Sequence, residues 1–128
     1  MDRRGFLFLT TFSALGSRAP LRTLTDGQSD MYGLIGKLVA TGGRRSELAR
    51  ILLEGSAAMP GCLSYVVAED AEDEDALWVT EVWDSEASHA ASLSLPSVQA
   101  AIQKGRPFIA GFGDRHVTTP LGGQGLPG

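Results

Sequence analysis

Apolar positions divide the chain from Met31 onward into a regular succession of elements. Tyr, Leu, Ile, Leu and Val fall between Tyr32 and Val39, which suits a strand buried on at least one face. Thr41-Gly42-Gly43 breaks it. Leu48, Ile51, Leu52 and Gly55 then recur at i, i+3, i+4 and i+7 through Arg44 to Ala58. This spacing predicts an amphipathic helix that keeps Arg44, Glu47, Arg50 and Glu54 in water. Pro60-Gly61 stops the helix, and Cys62 to Glu69, with Tyr65, Val66 and Val67, predicts a second strand. Leu77, Val79, Glu81 and Trp83 share one face of a third strand, with Trp78, Thr80 and Val82 on the other.

Asp84 or Ser85 caps the next helix, with Glu86 in the first turn where the helix dipole favours negative charge. His89, Ser92 and Leu93 share a face with Ser85. Pro96 breaks this helix in two, Ser97 is placed to cap the second piece, and Val98, Ala101 and Ile102 continue the apolar stripe. After Gly105 to Gly113 a last strand is expected over Asp114 to Thr119, and the Gly/Pro tail from Pro120 should be irregular. The order βαββαβ predicts an α+β domain of ferredoxin-like type over residues 31 to 121, an antiparallel sheet with its helices on one face. Strands bearing Tyr, Trp and Val leave too much apolar surface for a monomer. The expected remedy is a homodimer.

Composition limits the alternatives. With 128 residues, 43% of them apolar, the chain supports one core. Eleven basic residues against 15 acidic ones give a net charge of -4, so nucleic acid is not an expected partner. A lone Cys62 forms no intramolecular disulfide, no Cys/His cluster has zinc spacing, and Cys62 is expected to be a small core residue. Six of the seven residues from Glu69 to Asp75 are acidic, which reads as a solvated hairpin loop ahead of a metal site.

Residues 1 to 30 read as a leader. Arg3 and Arg4 precede an apolar run from Phe6 to Leu15 and a polar stretch from Ser17 to Asp30, and this order resembles a twin-arginine export signal. The run is too short for a bilayer helix, which needs about 20 apolar residues, so stable membrane insertion is not expected. Export to the periplasm follows if the leader is a signal; a start at Met31 would leave the protein cytoplasmic.

Tyr32-Gly33-Leu34-Ile35-Gly36-Lys37, Pro60-Gly61-Cys62, the block Thr80 to His89, Leu95-Pro96-Ser97-Val98-Gln99 and Pro120-Leu121-Gly122-Gly123 together resemble the antibiotic biosynthesis monooxygenase family, particularly its small quinol monooxygenase members. The likeness covers about residues 31 to 123 and is most specific from Glu81 through Gln99. It implies a dimeric α/β barrel in which two ferredoxin-like sheets close around each other. It also implies oxygenation of a phenol, quinol or polycyclic hydroxyarene with dioxygen, without flavin, haem or metal. The chain accordingly has no GxGxxG turn after a strand and no phosphate loop.

Ground-state dioxygen is a triplet, so the substrate itself must supply an electron, most readily as a phenolate in a dry pocket. The protein then contributes shape, desolvation and a base. Trp83 is a candidate flat wall with an indole N–H to offer, the alternative being plain core packing. His89, one turn into the following helix, is a candidate base with a pKa near neutrality, against a capping or surface histidine. Glu81 shares the Trp83 face, where its pKa would rise and suit it to accept a proton; a structural hydrogen bond is the competing role. Tyr65, Phe108 and Phe112 either line the cavity or belong to the core, and Arg115 holds an anionic oxygen or a salt bridge. Family members of known type place an asparagine beside the tryptophan and histidine, whereas this chain has none. That disfavours haem degradation and leaves Glu81, His89 or a water in its place. The competing function is a non-catalytic dimeric barrel that binds a small aromatic ligand.

Overall fold

The structure is a computed structural model and describes residues 30–127. Strand β1 (Tyr32–Ala40) leads into helix α1 (Arg45–Gly55), then β2 (Cys62–Glu69) and β3 (Ala76–Trp83). Helices α2 (Glu86–Ser92) and α3 (Pro96–Gly105), a short 3-10 turn (Arg106–Phe108) and β4 (Ile109–Thr118) complete the order. The strands form one sheet in the order β2-β3-β1-β4, with every neighbouring pair antiparallel. This is the expected ferredoxin-like arrangement.

Register decides which residues meet. Tyr32 pairs with Trp83, Leu34 with Glu81 and Leu38 with Leu77; Tyr65 pairs with Glu81 from the other side. Side chains alternate along each strand, so Tyr32, Leu34, Leu38, Tyr65, Leu77, Glu81 and Trp83 all rise from the face that carries the helices. Buried apolar residues on this face gather in two groups. Tyr32, Leu34 and Trp83 pack with Met59, Cys62 and Val117 at one end of the sheet. Ala40, Leu48 and Leu77 pack with Leu52, Val67, Phe108 and Ile109 at the other. Leu48 is wholly buried, and sealing one such side chain contributes about 1.5–3 kcal/mol.

The acidic segment is a solvated loop, as its composition suggests. Asp70 Oδ1 accepts the backbone N–H groups of Glu72 and Asp73 at 2.8 and 2.9 Å. Its Oδ2 accepts Trp78 Nε1–H at 2.7 Å, and these bonds, the Trp78 one foremost, hold the Asp70 carboxyl down at about 2. Arg45 crosses to this loop, donating to the Asp73 carbonyl at 3.0 Å and pairing with Glu69 at 3.2 Å.

Three boundaries differ from the sequence reading. Strand β4 starts at Ile109, five residues before Asp114, because two register shifts absorb its glycines. A Cβ at Gly113 would lie 2.9 Å from the Lys37 side chain, so glycine lets that stem cross the strand. Helix α1 ends at Gly55 rather than Ala58. Ser97 does not cap α3; Leu95 holds the cap position without a side-chain bond and Pro96 occupies the first turn, where its missing N–H leaves nothing to satisfy.

The export expectation concerns residues 1 to 30, which lie, Asp30 apart, outside the described part of the chain. Among the described residues no helix is long and apolar enough to cross a membrane.

Candidate functional site

The two apolar groups do not merge. Between them the helices and sheet border a half-open cavity of about 110 Å³. Leu38 and Ile109 of the sheet, Leu52 of α1, and Val98 and Ile102 of α3 supply apolar wall. Gly55 of α1 lies so close to α3 that a Cβ there would sit 2.4 Å from the Ala101 Cβ. The missing side chain brings the two helices together over the cavity.

Tyr65, Glu81, Trp83 and His89 also line it. Trp83 is 1% exposed and donates its Nε1–H to Glu81 Oε1 at 2.9 Å. Positions 81 and 83 share a face of β3, so sheet geometry itself aims the indole at the carboxylate. Burial pushes the Glu81 carboxyl above the ordinary range, against the opposing effects of the Trp83 bond and the Arg115 charge. Burial, then the charges of Glu81 and Cys62, raise the Tyr65 phenol. Cys62 is half-buried against the Trp83 group, and burial followed by the Glu81 charge raises its thiol.

His89 reaches the cavity through local chain geometry. Ser85 caps α2 with its Oγ accepting the Ser88 N–H at 3.1 Å. Gly61, at φ +86, allows the start of β2 to lie against α2, since a Cβ there would come within 2.5 Å of Ser88. The His89 ring is 4% exposed, edge-on to Trp83 with centroids 5.4 Å apart and tilted against Tyr32 at the same separation. The sequence reading gave this ring a pKa near neutrality. Burial, and then the charge of Arg115, instead push it down to about 4, so the imidazole is neutral at pH 7.

The remaining candidates lie elsewhere. Phe108 packs in the far apolar group beneath the Arg44 guanidinium, 5.6 Å from the ring centre. Phe112 is 46% exposed and does not line the cavity. Arg115 does not line it either, although its charge acts on both Glu81 and His89. Tyr32, read from the sequence only as a strand residue, is buried against His89; its even-numbered alternation with Leu34 was the available signal, and it needed the β1–β3 register to become legible. Among the described residues no three His, Cys, Asp or Glu side chains gather as ligands for a metal ion. The site thus combines an apolar cavity, a carboxylate of raised basicity held by an indole, and a neutral imidazole.

The model of the family described as antibiotic biosynthesis monooxygenase matches residues 31–104. The chain belongs to this family. A solved antibiotic biosynthesis monooxygenase family structure from Chloroflexus aurantiacus J-10-fl is 63% identical, covering 76% of this chain and 99% of that one, with a TM-score of 0.74. A second from Caulobacter crescentus CB15 is 20% identical over 73% and 92% of the two chains, with a TM-score of 0.67. SnoaB from Streptomyces nogalater, a cofactor-independent oxygenase, shares the fold at 13% identity, 72% and 94% coverage and a TM-score of 0.62. No curated protein matches the chain.

Proposed function

We propose that this antibiotic biosynthesis monooxygenase family member oxygenates a one-ring quinol or hydroxylated aromatic with dioxygen, using no flavin, haem or metal. The observation that carries the reading is the Trp83 Nε1–H bond to Glu81 at the wall of an apolar cavity. One carboxylate oxygen is taken by the indole and the other is left for a ligand hydroxyl. A carboxylate whose charged form is disfavoured by burial is a stronger base than one in water. Glu81 takes the hydroxyl proton, and the phenolate, dry and flat against Trp83, transfers an electron to dioxygen. For a phenol with hydrogen para to its hydroxyl, one oxygen atom enters the ring and the other leaves as water. The product is a quinone, and Glu81 returns its proton to the departing oxygen, so no net proton is consumed. SnoaB, a cofactor-independent oxygenase on the same fold, supports the absence of a cofactor as part of this proposal.

Size sets the substrate class. A dry cavity of about 150 Å³ holds benzene, so this half-open one of about 110 Å³ takes a single ring with small movements of its walls. Pairing of two copies through the outer sheet face is part of the proposal. Ile35, Val66, Trp78 and Val82 share that face by register, it carries no helix, and Val66 is 51% exposed.

The test is oxygen uptake by metal-free, flavin-free protein against a panel of one-ring quinols and fused-ring hydroxyarenes. Uptake above autoxidation is expected for the one-ring compounds, falling about 10²-fold or more in Glu81→Gln, the usual worth of a general base. Undiminished uptake in that variant would remove Glu81 as the base. Tight binding with no uptake would replace the oxygenase by a ligand-binding barrel.

A further inference from the structure

Three polar atoms around α2 are sealed from solvent without a hydrogen-bond partner: Tyr32 Oη, Glu86 Oε2 and His89 Nδ1. Leaving a buried polar atom unbonded is costly, and where protein groups do not satisfy such atoms an ordered water commonly does, through about three bonds. Tyr32 and His89 are 7% and 4% exposed, with ring centroids 5.4 Å apart. Glu86 lies one turn before His89 on the same face of α2. The partly buried apolar neighbours packed on the Tyr32 group are Met59, Cys62 and Val117, and Arg115, whose charge acts on His89, is a donor only and offers no acceptor to the Tyr32 hydroxyl.

We propose that one buried water joins Tyr32 Oη, Glu86 Oε2 and His89 Nδ1 and fixes His89 as the tautomer that carries its proton on Nδ1. The donor count permits this arrangement. The water gives one hydrogen to Glu86 Oε2, a carboxylate oxygen serving as acceptor. Its two lone pairs then receive the Tyr32 O–H and the His89 Nδ1–H, and all three orphans are satisfied. Nε2 is left with a lone pair on a ring that lines the cavity. The neutral state imposed on His89 by burial and by Arg115 keeps it an acceptor. Tyr32 and Glu86 are therefore positioning residues, absent from the sequence-derived site, that act through His89.

This deepens the proposed function and rests on it for its consequence: the His89 end of the cavity accepts a ligand O–H and has no proton for a carbonyl. Binding thereby favours the hydroxylated, reduced aromatic over its quinone, which helps product to leave.

The tautomer is measured on the full chain with ¹⁵N-labelled histidine by long-range proton–nitrogen NMR, His89→Gln assigning the signal. The expected result is protonation at Nδ1 in the wild type, with a shift of roughly tenfold or more toward the Nε2–H form in Glu86→Gln, as loss of a charge-assisted bond implies. Tyr32→Phe should shift it less. A wild-type Nε2–H tautomer overturns the proposal, and so does a ratio unchanged in a folded Glu86→Gln protein. A high-resolution crystal structure is the second measurement: one water bonded to all three atoms is expected, and a dry gap or a direct Glu86–His89 contact overturns it. Neither readout requires turnover, so their failure is distinguishable from failure of the oxygenase reading.

Discussion

Replacing Trp83 by Phe keeps an aromatic wall and deletes one N–H, and the effect on Glu81 follows from the bond lost. That N–H reaches Glu81 Oε1 at 2.9 Å and acts to lower the carboxyl pKa against burial. A hydrogen bond to a charged group contributes about 1.5–3 kcal/mol, and one pKa unit corresponds to about 1.4 kcal/mol, so its loss should raise Glu81 by about 1–2 units. The smaller ring also leaves room for water, which would resolvate the carboxylate and pull the value back. The expected net change is therefore a rise of about 1 unit, at the lower end of that range. Infrared or ¹³C titration of the Glu81 carboxyl reads this directly, and the acid limb of the oxygen-uptake profile should move to higher pH by the same amount. Trp78→Phe is the control, because its N–H serves Asp70 in the distant loop and its removal should leave Glu81 unmoved. An unchanged or lowered Glu81 pKa in Trp83→Phe would refute the reasoning.

Two further outcomes are expected. In the folded chain His89 is held down from 6.5 to about 4. Between those values the unfolded chain binds a proton that the folded chain does not, and stability falls as pH drops through the window. The loss is on the order of 3 kcal/mol over the full interval, and urea titrations at pH 7 and pH 4.5 should show it in the wild type and not in His89→Gln; parallel pH dependence in both would contradict the burial of this ring. For the outer sheet face, light scattering on the full chain should give a dimer at micromolar concentration, with Val66→Lys shifting it toward monomer. A wild-type monomer would show that this face tolerates water alone.

The order of elements was written in the chain. Five apolar residues from Tyr32 to Val39, the helical spacing of Leu48, Ile51 and Leu52, and the alternation from Leu77 to Trp83 specify strand, helix and strand by local periodicity. With βαββαβ order, few topologies other than the observed β2-β3-β1-β4 sheet remain. The pairing of Glu81 with Trp83 was legible for the same reason, since two residues apart on a strand means the same face. The first residue of β4 was not. Glycines at 111 and 113 read as a break, and only the register shifts against β1 and the passage of Lys37 beneath Gly113 show why a strand runs through them.

The chemistry of the site divides along the same line. Residue types and their face on a strand are properties of the sequence, so Trp83, Glu81, Tyr65 and His89 could be named in advance. Whether Phe108 and Phe112 join them depends on distances across a fold, and they do not line the cavity. Protonation is still further from the sequence. The imidazole of His89 is neutral because it is sealed beneath Tyr32 and Trp83 and faces the charge of Arg115, a residue 26 positions away. Burial and charge at a distance arise only when separate strands and helices close around a point, and for that reason tertiary structure alone decided which groups here can hold or release a proton.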